Sequence, residues 1–333
     1  ALLLGWLGCD APVAHSGSPD ASIDEGQVLP EERSALVVDV IAATQQPQNP
    51  PEELLGPPYP VVLVHGFSGF NRLGPVEYFF RVKETLESDG DEVYVPILPP
   101  YASSEERAVF LAQNLDVILA QSHAAKVHLI AHSQGGIDSR IVIGSPDYAD
   151  RIASLITVGS PHHGTPLADY VAKLPKNSLD PLSKTLGWIL GRIDAPSDTP
   201  QAEGDWDPSL DGSLATVTTS GMEILNASIP DLGMVPVFSV AGVSNLVAAD
   251  HLCRQSLWGR MDHVDAVDPL LVGTGAFLSG LNPFNRKPND GLAPSESMVW
   301  GTFLGCIPAD HFDEVGQIAD VSPGLFSRFD HVE

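Results

Sequence analysis

Ser133 stands in the run Lys126-Val127-His128-Leu129-Ile130-Ala131-His132-Ser133-Gln134-Gly135-Gly136, and a reaction could be built on it. Apolar residues lead up to Ala131 as in a buried parallel strand, a small-His-Ser-Gln-Gly turn follows, and a helical pattern begins beyond it. This is the layout of a nucleophile elbow. The strained strand-to-helix turn lifts one hydroxyl out of the sheet edge, with small residues where backbone segments come close. The first small position is Ala131, where the strict pattern has glycine. A serine hydroxyl is a weak nucleophile alone; it needs a histidine base and a carboxylate to orient that base. In chain order the acid should follow the serine and the histidine should come last.

Several downstream histidines bear on the base position. His162 and His163 follow a strand too closely to reach it easily, and His251 and His263 lie in a loop-rich region. His311, in Ala309-Asp310-His311-Phe312-Asp313-Glu314, falls where the last loop of a sheet belongs, ahead of the tag-like His331. Asn289-Asp290-Gly291 is a sharp turn that puts a carboxylate on a loop shortly before His311. Alone it is an ordinary turn signal; its place in the chain gives it value.

Such residues need a sheet to hold them. Val61-Val62-Leu63-Val64 reads as a central strand feeding His65-Gly66-Phe67, where glycine lets the backbone turn and present N–H groups. Helical spacing covers 75–88, a strand 92–98, and a helix capped by Ser103 or Ser104 runs to about 122. The elbow strand 127–131 follows, then its helix from 136 to about 143, and a strand at 152–158. Strand and helix alternating at short spacing specify an α/β fold with a mostly parallel sheet. Between 165 and 222 the pattern changes to apolar helical stretches at 167–174 and 179–193, the latter containing Trp188, then to an acidic loop. An apolar helical insertion of this kind is a natural lid, and ordinary core helices are the alternative. Strand character resumes at 235–241.

Of the 333 residues 43% are hydrophobic, and 43 acidic against 17 basic side chains give a net charge of −26. Such a surface repels nucleic acid and anionic membranes, favours cations including calcium, and suits a soluble, exported or salt-tolerant protein. The chain opens Ala1-Leu2-Leu3-Leu4-Gly5-Trp6-Leu7-Gly8-Cys9, an apolar stretch too short to span a bilayer. It reads as the remnant of a signal peptide or lipobox over 1–9, in which Cys9 would be lipidated, though Trp6 departs from the usual residue there. Residues 10–58, rich in Pro, Ser and acidic residues, read as a linker or N-terminal arm, and a catalytic domain is expected over 59–333. Three cysteines, Cys9, Cys253 and Cys306, suggest one pair and one with a separate purpose.

Taken together, Val62-Leu63-Val64-His65-Gly66-Phe67, the elbow run, Val158-Gly159-Ser160-Pro161-His162-His163-Gly164, Asp268-Pro269, Gly273-Thr274-Gly275, Asn289-Asp290-Gly291-Leu292 and His311-Phe312-Asp313-Glu314 resemble the true bacterial lipases of the Pseudomonas and Burkholderia type. These are members of the α/β-hydrolase superfamily, and the resemblance covers about 60–321 with the lid most divergent. It implies the α/β-hydrolase fold: a mostly parallel sheet, helices on both faces and a helical lid. It implies Ser133 as nucleophile, Asp290 as triad acid, His311 as base, and the N–H groups of Phe67 and Gln134 as an oxyanion hole. His65 and His132 become structural neighbours of the site. It further implies one structural calcium held by the carboxylates of Asp268 and Asp313 and the carbonyls of Gln317 and Val321, a donor set suited to a hard cation.

The chain departs from that family in places. Ala131 replaces glycine, the N-terminal arm has no counterpart, and 293–297 lacks the family's disulfide cysteine, so Cys306 could pair with Cys253 instead. The expected activity is a secreted or Cys9-anchored serine ester hydrolase, a triacylglycerol lipase acting on lipid at an interface. A dedicated folding chaperone is a candidate partner; nucleic acid is not. Esterase, phospholipase, polyester hydrolase and acyltransferase chemistry are rivals on the same site, and a non-catalytic binding module is a rival from another class.

Overall fold

The structure, a computed structural model, describes residues 57–67, 69, 72–73, 76–173, 210–229, 233–244, 252–253, 267–280 and 287–316. The N-terminal arm with Cys9, the middle of the expected lid with Trp188, His251, His263, Gln317 and Val321 lie outside them.

Six strands form one sheet: β1 (Val61–Val64), β2 (Val93–Tyr94), β3 (Val127–His132), β4 (Ile152–Val158), β5 (Val237–Gly242) and β6 (Thr302–Ile307). They lie in the order β2-β1-β3-β4-β5-β6, and every neighbouring pair is parallel. Helices α1 (Val82–Asp89), α2 (Ser104–Ser122), α3 (Gln134–Ile143), α4 (Pro146–Ala149), α5 (Pro166–Ala172), α6 (Leu210–Val217), α7 (Thr219–Ser228) and α8 (Val272–Ser279) connect or flank them.

Alternation along β1 shows how the sheet is covered. Val62 and Val64 join the larger core with Leu111, Leu115 and Ile118 of α2 and Ile137 and Ile141 of α3. Val61 and Leu63, pointing the other way, pack with Val93, Phe79 and, from α1, Val82 and Leu86. With both faces of β1 buried, an uninterrupted apolar run is what such a strand requires. Truncating a fully buried residue such as Leu115 to alanine costs about 2–5 kcal/mol.

Local chemistry fixes several boundaries. Ser103 caps α2: its hydroxyl accepts from Glu106 N–H while Glu106 reaches back to the Ser103 N–H, a full capping box. Helix α1 starts at Val82 rather than 75, because Val76–Glu77 pairs with Arg72–Leu73 as a short antiparallel ribbon. β2 stops at Tyr94 instead of reaching 98; Pro96 and Pro99 have no N–H for a ladder. Helix α3 begins at Gln134, directly after Ser133, two residues earlier than expected. Strand β6, which leads to His311, was not expected from the sequence.

Because all six strands run the same way, the loops after β1, β3, β5 and β6 meet at one carboxyl edge of the sheet. Cys253 and Cys306 are joined in a disulfide that ties a distal loop to β6.

Candidate active site

Ser133 follows β3 with φ 56° and ψ −131°, a backbone state that an L-residue adopts only under constraint. The constraint is close packing. A Cβ on Gly66 would come 2.5 Å from Ser133 Cβ, and one on Gly135 2.5 Å from the Val64 carbonyl oxygen. Only glycine lets the β1 loop and the elbow touch this closely. Ala131 sits differently: paired with Val64 and Thr157 inside the sheet, its methyl lies in the main core. The departure from the strict elbow pattern is therefore accommodated.

His311, on the loop after β6, brings Nε2 to 2.9 Å from Ser133 Oγ. Its Nδ1 lies 2.5 Å from Asp290 Oδ2, and its backbone N–H donates to the Asp290 carbonyl at 2.9 Å. The other Asp290 oxygen accepts from the N–H groups of Leu292 and Ala293 at 2.8 and 2.7 Å. Ser244, just past β5, donates its N–H to the Asn289 carbonyl and so holds the acid's turn against the sheet. Gly291 takes φ 96° in that turn, where a side chain would also strike Leu271. Asp290 is completely shielded from solvent and His311 nearly so, while Ser133 is partly exposed.

In the loop after β1 the two peptides that follow His65 are pinned. The Arg107 guanidinium donates to the His65 carbonyl (2.6 Å), to the Pro99 carbonyl (2.7 Å) and to Asp138 (2.7 Å). His65 Nδ1–H and Gly69 N–H both donate to the Gly66 carbonyl, at 3.0 and 3.2 Å. In a trans peptide N–H and C=O point opposite ways, so anchoring that oxygen aims the Phe67 N–H away from it. The Gln134 N–H is the first of α3 and has no partner within the helix. Gln134's side chain is held by Ala102, Ser104 and Ser213.

Burial sets the charge states around this site. His65 is lowered to about 3, first by burial and then by Arg107, and as a neutral ring its Nε2 accepts from Leu98 N–H at 2.9 Å. His132 is held well below its ordinary value by burial and by His311 beside it. Asp138 is raised to about 6 by burial, which Arg107 only partly offsets. Glu314 is pushed well above the carboxylate range by burial and by Asp290, Asp310 and Asp313.

Asp268 and Asp313, the two expected calcium carboxylates among the described residues, are carried by backbone segments that meet in the fold. Asp310 accepts from Asp268 N–H (2.6 Å) with one oxygen and from Phe312 and Asp313 N–H groups with the other (2.9 and 3.1 Å). It thus binds together the backbones that carry Asp268 and Asp313, two buried carboxylates. Burial raises Asp310 to about 6, with the Asp268 charge adding to it. Crowded, buried acids of this kind fit a divalent cation, whose charge offsets their desolvation. His132, His311 and Glu314 also bring ligand atoms within 4.8 Å of one another. Both rings there are already committed to hydrogen bonds with Glu314, Asp290 and Ser133, so a metal would dismantle the arrangement.

Of the expected residues, Ser133, Asp290 and His311 come together in one hydrogen-bonded line, flanked by Phe67 and Gln134. His162 sits apart in a buried network with Arg140 and Thr157, and His163 is exposed. Tyr78, Arg107, Asp138 and Asp310 escaped the sequence reading, as did any role for Glu314 beyond its place in a quoted motif. Tyr78, Arg107, Asp138 and Glu314 act through partners distant in the chain, and Asp310, besides its local turn, through Asp268.

Against known proteins, the profile of the alpha/beta hydrolase fold matches residues 59–178. A triacylglycerol lipase of Vibrio cholerae is 32% identical over 284 residues, spanning 82% of this chain and 83% of that one. A triacylglycerol lipase of Burkholderia plantarii is 27% identical, spanning 89% and 86%. Among solved structures, Staphylococcus hyicus lipase superposes with a TM-score of 0.58 at 19% identity, covering 86% of this chain and 95% of that one. The mature Bacillus licheniformis lipase gives 0.56 at 21% identity, covering 80% and 90%. At these identities the two structures bear on the fold alone.

Proposed function

Because the chain belongs to the bacterial triacylglycerol lipase family of the α/β hydrolases, and is a hydrolase of the lipase or carboxylesterase class, we propose that it cleaves triacylglycerol through Ser133, His311 and Asp290 by way of an acyl-enzyme. The observation that carries this is the 2.9 Å contact of His311 Nε2 with Ser133 Oγ, backed by Asp290 on the opposite ring nitrogen. Ser133 attacks the ester carbonyl carbon as His311 takes its proton. The oxyanion is stabilised by the N–H groups of Phe67 and Gln134, which bind charge that exists only in the tetrahedral state. His311 returns the proton to the departing alcohol, then draws one from the attacking water and gives it to Ser133 Oγ as the fatty acid leaves. Asp290 fixes the ring's tautomer and stabilises its charged form.

Long-chain substrate is favoured by apolar side chains at the carboxyl edge. Tyr170 of α5 and Phe277 of α8 pack with ring centroids 5.4 Å apart while about half exposed. Helices α5, α6 and α7 lie at the two ends of the expected lid, 165–222, whose middle lies outside the described residues. We read this segment as the cover of the site.

Calcium belongs to the same proposal. Asp268 and Asp313 would hold it with the carbonyls of Gln317 and Val321, and when bound it would brace the loop of His311 without entering the chemistry. Action outside the cytoplasm is supported by the Cys253–Cys306 disulfide, a bond that persists in oxidising compartments. Among the described residues, no helix is long and apolar enough to cross a membrane. Anchoring through Cys9 rests on the sequence alone, and mass analysis of the native N-terminus decides it.

Rates on triolein, on a short soluble ester and on phosphatidylcholine test the substrate. Turnover highest on emulsified triolein is expected. Triolein turnover near zero removes the lipase reading and leaves an esterase or, if phosphatidylcholine is cleaved, a phospholipase.

A further inference from the structure

A buried hydrogen-bonded chain that the reaction steps do not use joins the loop of Phe67 to the loop of His311. The Gly66 N–H donates to Tyr78 Oη at 2.9 Å. Tyr78 Oη lies 2.7 Å from His132 Nδ1, and His132 Nε2 lies 3.0 Å from Glu314 Oε2. That oxygen is in turn 3.8 Å from His311 Nδ1. Tyr78, His132 and Glu314 are all buried, and the His132 ring packs on that of His311 with centroids 4.5 Å apart. With His132 Nε2–H donating to Glu314 and Nδ1 accepting from the Tyr78 hydroxyl, the chain is unbroken.

The Gly66 N–H and the His65 carbonyl belong to one peptide unit. Arg107 holds its oxygen and Tyr78 its nitrogen, so the plane cannot rotate. The next peptide unit carries the Phe67 N–H. We propose that Tyr78 and His132 are positioning residues that fix the oxyanion donor at Phe67 relative to His311, an inference that rests on Phe67 being such a donor. Tyr78 does this through Gly66, and His132 does it by holding Tyr78 against Glu314. Losing the phenolic oxygen frees one side of the peptide and leaves Ser133, His311 and Asp290 in place.

A purely structural role and an oxyanion role differ in one readout. A thiono ester develops its charge on sulfur, a poor hydrogen-bond acceptor, so it profits little from aimed N–H donors. Tyr78→Phe is therefore expected to lower kcat on a short soluble oxo ester by about 10-fold to 100-fold, less than or comparable to the loss of a whole donor. KM should stay within about twofold, and the rate on the thiono analogue should change far less. His132→Asn should show the same pattern more weakly, and it serves if Tyr78→Phe does not fold. Equal losses on both esters, or no loss on the oxo ester, overturn the inference. A wild-type oxo-to-thiono ratio near one removes the oxyanion hole itself and the inference with it, so the two failures are told apart.

Discussion

His311 is bonded to Asp290 twice: its backbone N–H reaches the Asp290 carbonyl at 2.9 Å, and its ring nitrogen reaches the carboxylate at 2.5 Å. Acid and base are thus held as one unit, and the base's main-chain position does not depend on its ring. His311→Asn is accordingly expected to keep the fold, with a melting temperature close to that of the wild type. Its kcat should fall by about 10⁴-fold or more, as when a catalytic unit loses a member. Steady-state kinetics with a soluble ester, alongside thermal unfolding, checks both halves.

Ala131 lies in the core between Val64 and Thr157. Ala131→Gly, which restores the stricter elbow pattern, is expected to destabilise the protein by about 1–2 kcal/mol from lost methyl burial and added backbone freedom. The kcat should stay within about twofold. A rise in activity would mean that the methyl strains the elbow.

The elbow and its strand were legible in the sequence because strand period, turn residues and helix start are local signals. Ser103, the cap of α2, was legible for the same reason, while Asp290 and His311 gained weight from chain order. The resemblance assigned them. The Arg107–Asp138 pair and the Tyr78–His132–Glu314 chain were not legible. They join side chains 31 to 182 positions apart, and only the folded sheet edge makes them neighbours. The late start of α1 at Val82 was hidden by apolar spacing that serves a strand pair and a helix equally well.

Buried, neutral His65 makes stability depend on pH. Its folded value of about 3 lies below the 6.5 of an unfolded histidine. The stability it contributes is therefore present above pH 6.5 and is lost as pH falls from 6.5 towards 3. Between pH 7 and pH 5 that loss comes to about 2 kcal/mol. His65→Gln, though less stable throughout, should lose about 2 kcal/mol less than the wild type over this interval by urea unfolding. Equal losses in the two proteins would mean that His65 is protonated in the fold.

Chelation tests the calcium proposal. An ion present at about a hundred times its dissociation constant adds about 2.7 kcal/mol, worth about 5–10 °C in melting temperature for a domain of this size. EDTA should remove that increment and excess calcium should restore it. An unchanged melting temperature counts against the site at Asp268 and Asp313.

The central claim is that Ser133 is the nucleophile. A long-chain alkylphosphonate carrying a good leaving group, incubated with the protein, should stop ester hydrolysis in step with the gain of one phosphonyl group. Mass spectrometry of the digested protein should place that group on Ser133. No adduct, or an adduct on another residue with hydrolysis abolished, would contradict the account.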